Sequence, residues 1–384
     1  MARVSILLIT VAFLITAALI AGMVGYGSVQ YTLTIARTAG GTVTTPGVVV
    51  STYAPSTVVN LVATPATDYS FVNWTGDVST IANITAANTS ITMSGNYSIT
   101  ANFAILIRDW YQLNAIRNNL SGNYLLMNNL DSTTAGYDAL AINTANQGKG
   151  WEPIRNFTGA FDGQGYEIKD LFIDRPDEDN VGLFGYVQRG PIIWVPFGCV
   201  PSVSGFITDT GVVNATVTGY RNVGSLVGLH DGITVSNSNS TGNVTGNYTV
   251  GGLVGLNYGT VSNSYSTGSV TGNYTIGGLV GLNDGGTVSD SYATGSVTGN
   301  YEVGGLVGDN YGIVSGSFWD TQTSGQATSD GGTGKTTAKM KNIVTFSSTG
   351  WDIIAVANLG TRNLSYIWNI VDKQTYPFLS WQPV

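Results

Sequence analysis

The sequence predicts an all-β protein whose central part is a right-handed parallel β-helix. One segment is repeated four times in succession, and each copy carries the core Val/Ile-Gly-Gly/Ser-Leu-Val-Gly. The copies begin at Gly219, Gly246, Gly272 and Gly299. Their shared leucines are spaced 27, 26 and 27 residues apart, at Leu226, Leu253, Leu279 and Leu306. A fixed period of this length is typical of solenoid proteins, in which each copy stacks on the next.

Each copy is too short to bury a core of its own, so neighbouring copies must supply it. Short β-branched runs separated by Gly, Asn, Ser and Thr predict strands rather than helices, two or three in each copy. Stacking these strands in register, about 4.8 Å apart, pairs the backbone groups of successive coils. We expect two apolar columns, one of Val244, Val270 and Val297 and one of Val223, Val250, Ile276 and Val303.

The repeated core is followed by a second recurring stretch. In one copy it reads Thr-Val-Ser-Asn-Ser-Tyr-Ser-Thr-Gly-Ser-Val-Thr-Gly from Thr260 to Gly272. Together the two stretches resemble the GLUG repeat of bacterial and archaeal surface and secreted proteins. The resemblance implies an adhesin-like or cell-surface β-helix, and this repeat also occurs beside immunoglobulin A peptidase domains.

Residues 1–27 form a separate apolar segment. A single charge at Arg3 precedes a run of 21 apolar residues from Val4 to Val24. Such a run is long enough to cross a bilayer as a helix, so it is either a membrane anchor or a signal peptide cleaved before Ser28. Either alternative exports the rest of the chain.

Residues 30–104 predict a small, separate β domain. Alternating patterns occur at Tyr31 to Ile35, Val58 to Val62 and Ser98 to Phe103. With the segment Tyr-Ser-Phe-Val-Asn-Trp-Thr-Gly that ends at Gly76, their order is similar to the divergent internalin B-repeat domain. The resemblance implies a β-grasp-like spacer without enzymatic activity. We expect Trp74 to belong to its core rather than to bind a sugar.

Residues 105–335 are assigned to the β-helix and residues 336–384 to a C-terminal cap. The segment Trp110 to Ile116 predicts a short capping helix, and Leu183 marks an earlier copy of the core, interrupted by a loop from Gln188 to Ser204. Beyond Gly325 the period ends, and an aromatic cluster follows. Terminal units of solenoids are expected to be irregular in this way because they cover the open core.

Composition excludes several classes of function. The formal net charge is −8, and no Lys or Arg occurs between Arg221 and Lys335, so nucleic acid is not an expected partner. The single cysteine, Cys199, excludes an internal disulfide, and the single histidine, His230, with no His-Glu-x-x-His motif, argues against a zinc peptidase. We expect no cofactor and no metal.

Three local patterns are considered as catalytic or ligand-binding sites. Acidic residues from Asp162 to Asp179 are the candidates for a glycan-active lyase or hydrolase, although turns explain them more simply. The stretch from Gly332 to Thr336 predicts a solvated turn, because Ser329 replaces a glycine that a phosphate-binding loop needs. Asn283-Asp284-Gly285 has one carboxylate and predicts a turn rather than a calcium site.

Two aromatic columns remain as binding candidates. One consists of Tyr248, Tyr274 and Tyr301, and the other of Tyr265, Tyr292 and Phe318. An exposed column could bind sugar rings, with Asn and Thr beside it. Packing is the favoured interpretation for the second column, whereas for the first both alternatives stay open.

These observations predict an exported cell-surface protein, secreted or anchored through Val4 to Val24. The expected role is adhesin-like or structural and non-catalytic, with glycans, cell-surface molecules or other copies of the chain as partners for the β-helix faces. Two alternatives are a glycan-active enzyme that uses the region from Asp162 to Asp179 and a subunit of an extracellular filament.

Overall fold

The computed structural model describes residues 29–190, 193–195, 198–200 and 205–383. The chain divides into two compact units, with the boundary between Ala104 and Ile105. The predicted apolar helix from Val4 to Val24 lies outside the described residues and stays a prediction. In the part of the chain that the structure describes, no helix is long and apolar enough to span a membrane.

The first unit consists of two small β-sheets around one core. Its strands are β1 (Tyr31–Arg37), β2 (Gly41–Thr45), β3 (Val50–Tyr53), β4 (Val58–Pro65), β5 (Tyr69–Gly76), β6 (Asn88–Thr92) and β7 (Tyr97–Ile107). One sheet has the order β3-β1-β7, with β5 also paired to β7, and the other has the order β2-β4-β6. Alternation along the strands buries Leu33, Leu61 and Ile91. Trp74 is 1% exposed and donates its Nε1 proton to the carbonyl of Ala86, which confirms its core position.

The second unit begins with a short helical lead-in. Its helices are α1 (Trp110–Asn114) and α2 (Tyr137–Leu140), with 3₁₀ turns at Ala115–Asn118 and Ala145–Gly148. The carboxylate of Asp109 caps α1 by accepting a hydrogen bond of 2.7 Å from the backbone nitrogen of Gln112. Trp110 and Leu113 are fully buried because they lie three residues apart on one helix face. They belong to the apolar core that runs on through the coils.

Four parallel sheets then form the coils. The first contains β8 (Asn123–Leu126), β9 (Ala160–Asp162), β16 (Phe206–Thr208), β20 (Thr234–Ser236), β24 (Thr260–Ser262), β29 (Thr287–Ser289) and β34 (Ile313–Ser315). The second contains β10 (Glu167–Lys169), β11 (Phe172–Asp174), β17 (Gly211–Thr218), β21 (Asn239–Thr245), β25 (Tyr265–Ser266), β26 (Val270–Thr271), β30 (Tyr292–Ala293), β31 (Val297–Thr298), β35 (Phe318–Asp320) and β36 (Thr333–Lys335).

The third and fourth sheets have five strands each. The third contains β12 (Asp179–Val181), β18 (Arg221–Val223), β22 (Tyr248–Gly251), β27 (Tyr274–Gly277) and β32 (Tyr301–Gly304). The fourth contains β13 (Phe184–Gln188), β19 (Val227–Asp231), β23 (Val254–Asn257), β28 (Val280–Asn283) and β33 (Val307–Asn310). An antiparallel pair, β14 (Ile193–Val195) and β15 (Gly198–Val200), lies in the inserted loop.

The chain passes through the four sheets in turn, so the unit is a parallel β-helix, as predicted. Both expected columns are present: Val244 pairs with Val270, and Val250 pairs with Ile276. The predicted number of strands was wrong, because a regular copy has five short strands rather than two or three. Glycine-containing corners separate them, and runs that looked like one strand bend between two sheets.

One corner explains the repeated glycines of the core motif. A Cβ on Gly277 would lie 1.9 Å from the carbonyl oxygen of Val280 and 2.8 Å from the backbone nitrogen of Gly308. These atoms belong to the backbone of the same and the next coil, so they cannot move aside as a side chain could. The coils can therefore turn this corner and still stack only where no side chain is present.

The C-terminal cap covers one side of the β-helix. It contains α3 (Thr337–Met340), α4 (Ile343–Ser347), β37 (Ile353–Ala355), β38 (Trp368–Ile370) and β39 (Phe378–Leu379). Its buried side chains form one aromatic cluster with residues of the second sheet. Within this cluster, Trp351 donates its Nε1 proton to the carbonyl of Gly316 at 2.6 Å.

Candidate functional site: a stack of tyrosines

Tyr248, Tyr274 and Tyr301 each begin a strand of the third sheet. The backbone register pairs Tyr248 with Tyr274 and Tyr274 with Tyr301. Their ring centroids are 5.0 and 4.8 Å apart, and the ring planes differ by 9° and 7°. The three side chains therefore form a continuous column of parallel rings, the tyrosine stack.

The parallel arrangement decides which part of each ring can meet a ligand. Tyr248 and Tyr274 are half-buried, and each lies face to face with the next tyrosine. The inner faces are therefore occupied, and ring edges with phenol hydroxyl groups are the parts available along the column. A sugar ring packs against an aromatic face, so the stack can offer such a face only at its ends.

The two ends of the stack differ. At Tyr248 the guanidinium of Arg221 lies 5.3 Å from the ring centroid, and Tyr220 meets the same ring edge-on at 5.5 Å. At the other end Tyr301 is 57% exposed. The stack is thus closed at its first ring and open at its last.

Polar groups lie beside the rings. The amide of Asn300 donates to the amide oxygen of Asn273 at 2.7 Å, which repeats the coil spacing in side chains next to the tyrosines. Thr249 and Thr275, which follow the first two tyrosines, have φ values of 54° and 59°. Left-handed backbone is unfavourable for a β-branched residue, so the stacked coils must impose it.

The second aromatic column is a packing feature. Tyr265 and Tyr292 stack at 5.0 Å with ring planes 4° apart, but they are only 7% and 1% exposed. The C-terminal cap lies over them, and Tyr292 donates its hydroxyl proton to the carbonyl of Pro377 at 2.6 Å. Burial raises the pKa of Tyr265 to about 12.

A third column was not predicted from the sequence. His230, Asn257, Asn283 and Asn310 end successive strands of the fourth sheet or lie next to their ends, and the first three are fully buried. Their amides form a chain of hydrogen bonds of 2.7 Å, from Asn257 to Asn283 and from Asn283 to Asn310. We call this column the asparagine ladder. Its signal was present, because each copy has His or Asn three residues after the Val of the Leu-Val-Gly core.

The acidic side chains that were considered for catalysis make contacts with different partners. Glu178 accepts from Arg175 at 2.8 Å and from Arg155 at 3.0 Å, and Lys149 lies 3.4 Å away. Asp162 instead accepts hydrogen bonds from Gln164. These contacts hold the first coils together.

Asp162 has a neighbour that the sequence did not single out. Burial raises the pKa of Asp162 and of Asp209, and Asp162 adds to the effect on Asp209. A cavity of about 170 Å³ lies beside Asp209 and Asn237, and the cap residues Asp352 and Trp381 line its other side.

The sequence analysis predicted turns at two stretches, Gly332 to Thr336 and Asn283-Asp284-Gly285. The stretch predicted to be a solvated turn includes strand β36, whose pairing with β35 extends the second sheet. The expectation of a turn there was wrong because the last coil still offers an unpaired edge.

In the second of these stretches, the amide of Asn283 belongs to the asparagine ladder: its oxygen accepts from Asn257 and its nitrogen donates to Asn310. Among the described residues, no group of three or more His, Cys, Asp or Glu side chains could hold a metal ion.

The fold and its columns define a solenoid repeat protein of the parallel β-helix class. Residues 31–106 match the family model described as the divergent InlB B-repeat domain, and residues 219–245, 246–271 and 272–298 each match the GLUG motif. The chain therefore carries a divergent InlB B-repeat domain followed by three matched GLUG motifs.

Two known proteins show similarity to parts of the chain. Halomucin from Haloquadratum walsbyi is 39% identical over 137 residues, which make up 33% of this chain and 1% of Halomucin. The chain thus spans a very small part of that relative. A solved structure from Bacteroides ovatus, described as a candidate immunoglobulin A1 protease, is 16% identical, with a TM-score of 0.44. That similarity covers 73% of this chain and 93% of the other.

Proposed function

We propose that this chain belongs to an exported cell-surface protein in which the β-helix is a non-catalytic binding element. The GLUG motifs and the similarity of a third of the chain to Halomucin support an external location. In this proposal the segment from Val4 to Val24 directs export or anchors the chain. Digestion of intact cells with a protease tests the location: the protein should be cleaved while a cytoplasmic marker stays intact.

The proposed ligand is a neutral glycan, bound along the tyrosine stack. The observation that carries this proposal is the row of phenol edges. The ring centroids lie 5.0 and 4.8 Å apart, and the amides of Asn273 and Asn300 lie beside the row. Phenol and amide groups donate and accept hydrogen bonds, as sugar hydroxyl groups do. The sequence from Asn222 to Gly334 contains no Lys or Arg, so the coils of Tyr274 and Tyr301 supply no cation to an anionic glycan, and Arg221 lies at the first ring, over Tyr248.

The non-catalytic part of the proposal rests on the roles of the acidic side chains. Glu178 is paired with three cations, and these ion pairs lower the pKa of its carboxyl group although burial opposes them. A general acid in glycoside cleavage needs a raised pKa, which Glu178 lacks. Glu178 is therefore suited to holding coils together rather than to proton transfer. Asp162 has a raised pKa, but its carboxylate accepts hydrogen bonds from Gln164.

Affinity electrophoresis in gels that contain neutral polysaccharides tests the glycan proposal. Tyr274→Phe removes one hydroxyl and keeps the ring in the stack, so we expect retardation to weaken about two- to tenfold, the value of one hydrogen bond. Tyr258→Phe is the matched control, since the Tyr258 ring is exposed but lies outside the stack. Equal retardation of the wild type and Tyr274→Phe in every polysaccharide tested would reject a role for the hydroxyl row.

A further inference from the structure

The first ring of the tyrosine stack carries a cation on its outer side. The guanidinium carbon of Arg221 lies 5.3 Å from the centroid of Tyr248. Arg221 also pairs with Tyr248 in the strand register, so it has the place in the column that tyrosine has in later coils. The contact is attractive because the face of an aromatic ring is the negative part of its quadrupole.

The buried aromatic column ends in the same way. Phe318 follows Tyr292 in register, and the Nζ of Lys335 lies 5.6 Å from the centroid of the Phe318 ring. Two columns of different burial therefore each carry a cation at one end. In this chain a positive charge is a recurrent partner for a ring at the end of an aromatic column.

In the part of the chain that the structure describes, the open end of the tyrosine stack has no such partner. Tyr301 is 57% exposed, and among the described residues its ring contact is with Tyr274 and no cationic group lies over it. The sequence between Arg221 and Lys335 has neither Lys nor Arg, and Lys335 lies on Phe318. No described residue places a cation on Tyr301, so a cation from another molecule can occupy this face.

Negative charge lies in the same coil. Glu302 directly follows Tyr301, and its Oε2 accepts a hydrogen bond of 2.5 Å from Thr275. Burial raises the pKa of the Asp309 carboxyl group, and Glu302 and Asp330 act in the same direction. These carboxylates repel one another, and a bound cation would relieve that repulsion.

We propose that the open end of the tyrosine stack binds an arginine side chain of a basic partner polypeptide, with its guanidinium on the free face of Tyr301 and close to Glu302. The site has the same chemistry as the contact that Arg221 makes at the other end. A planar guanidinium suits this place because it stacks on an aromatic face while its N–H groups reach a carboxylate. The net charge of −8 favours the approach of such a partner.

The test is a titration of the full chain with the peptide Arg-Gly-Arg-Gly-Arg, read by fluorine NMR of a fluorotyrosine placed at position 301. We expect a saturable shift of this signal and little change in a second sample labelled at Tyr258. The matched peptide with citrulline in place of arginine has the same shape without the charge, and it should cause no shift. A neutral oligosaccharide is titrated in the same way as the third ligand.

Two variants separate the stack from general charge attraction. Tyr301→Ala should weaken peptide binding about two- to fivefold, and Glu302→Gln by a similar factor. Tyr258→Ala is the control, because Tyr258 is 40% exposed but lies in an earlier coil and outside the stack. Thermal melting checks that each variant is folded.

Several results would overturn the proposal. These are the absence of any shift at position 301 up to millimolar peptide, equal shifts with the citrulline peptide, and equal losses in Tyr301→Ala and Tyr258→Ala. A shift caused by the oligosaccharide alone would assign the face to a sugar instead. The hydroxyl row tested with Tyr274→Phe is a different surface, so either proposal can fail without the other.

Discussion

His230 and Asn257 are joined by a hydrogen bond of 2.5 Å between the Nδ1 of the imidazole and the Oδ1 of the amide, one coil apart. The backbone nitrogen of Gly259 donates to the same Oδ1, which sets the orientation of the amide. An amide oxygen can only accept, so Nδ1 must carry the proton, and the buried Nε2 has no hydrogen-bond partner among the described residues. The asparagine ladder therefore begins with a group that titrates.

The first prediction concerns acid stability. Complete burial lowers the pKa of His230 from 6.5 to about 4. Between these two pH values the unfolded chain binds a proton that the folded chain does not, so the free energy of unfolding falls as pH falls. The loss should reach roughly 3 kcal/mol at pH 4, while above pH 6.5 this group has no effect.

The variant His230→Asn isolates this effect, because it continues the ladder with the residue found in the later coils. Urea unfolding of both proteins from pH 7.5 to 4 gives the difference in the free energy of unfolding at each pH. That difference should change by roughly 3 kcal/mol in favour of the variant as pH falls. A difference that does not vary with pH would show that His230 is protonated or exposed in the folded state.

The second prediction concerns the ladder itself. Asn283→Ala removes the acceptor of Asn257 and the donor to Asn310, and Asn257 is completely buried. We expect the free energy of unfolding to fall by roughly 2–3 kcal/mol, measured by urea denaturation, because buried amide groups lose their partners. Asn300→Ala is the control. Its side chain makes a similar bond on the surface, and its loss should cost about 0.5 kcal/mol or less.

Equal losses in the two variants would contradict this interpretation of the ladder. They would mean that burial of Asn283 adds nothing to the value of its hydrogen bonds.

The repeat made much of the β-helix predictable. When residue types recur at one spacing, register follows from matching like with like, and the columns of Val250 with Ile276 and Val244 with Val270 were found in this way. The tyrosine stack follows from the same argument. The number of strands did not, because a Gly-Gly pair looks similar within a strand and at a corner between two sheets.

The asparagine ladder was missed for a physical reason. An Asn beside Gly and Tyr is typical of a turn on the surface, where water satisfies its amide. Asn283 can be buried because identical residues in the coils on either side provide its partners. Its burial depends on the stacking of coils, and a pattern within one copy contains no information about it.

Packing was the favoured interpretation for the second aromatic column, but the cover that buries it was not predictable from the repeats. Tyr265 and Tyr248 recur at the same period and both stack at 5.0 Å. Tyr265 is buried because the cap reaches it, with Gln382 donating to its hydroxyl group at 2.6 Å. That contact joins residues 117 positions apart, so local sequence does not reveal which column is covered.

The third prediction concerns the corner glycines. In Gly277→Ala the new Cβ would meet the carbonyl oxygen of Val280 at 1.9 Å, and two stacked coils would have to separate. We expect a loss of about 3 kcal/mol in the free energy of unfolding, seen as a lower urea midpoint. Gly285→Ala is the control: its Cβ meets no atom within 4 Å, and its φ of +73° accounts for a loss of about 1 kcal/mol. A milder effect at Gly277 than at Gly285 would show that backbone conformation matters more than space at this corner.

The last prediction concerns the cap. Trp351 is 5% exposed, packs against the tilted ring of Trp368 with 4.8 Å between ring centroids and donates to the carbonyl of Gly316. Trp351→Ala should therefore lower the free energy of unfolding by about 3–5 kcal/mol. Because the cap covers Tyr265 and Tyr292, its loosening should also expose these tyrosines to solvent, which second-derivative absorbance below the melting temperature would detect. Leu364→Ala, at a cap residue that is 76% exposed, should change neither measurement noticeably. If Trp351→Ala lowered stability while the tyrosine spectrum stayed that of the wild type, the cap would stabilise the chain without being what keeps the second aromatic column buried.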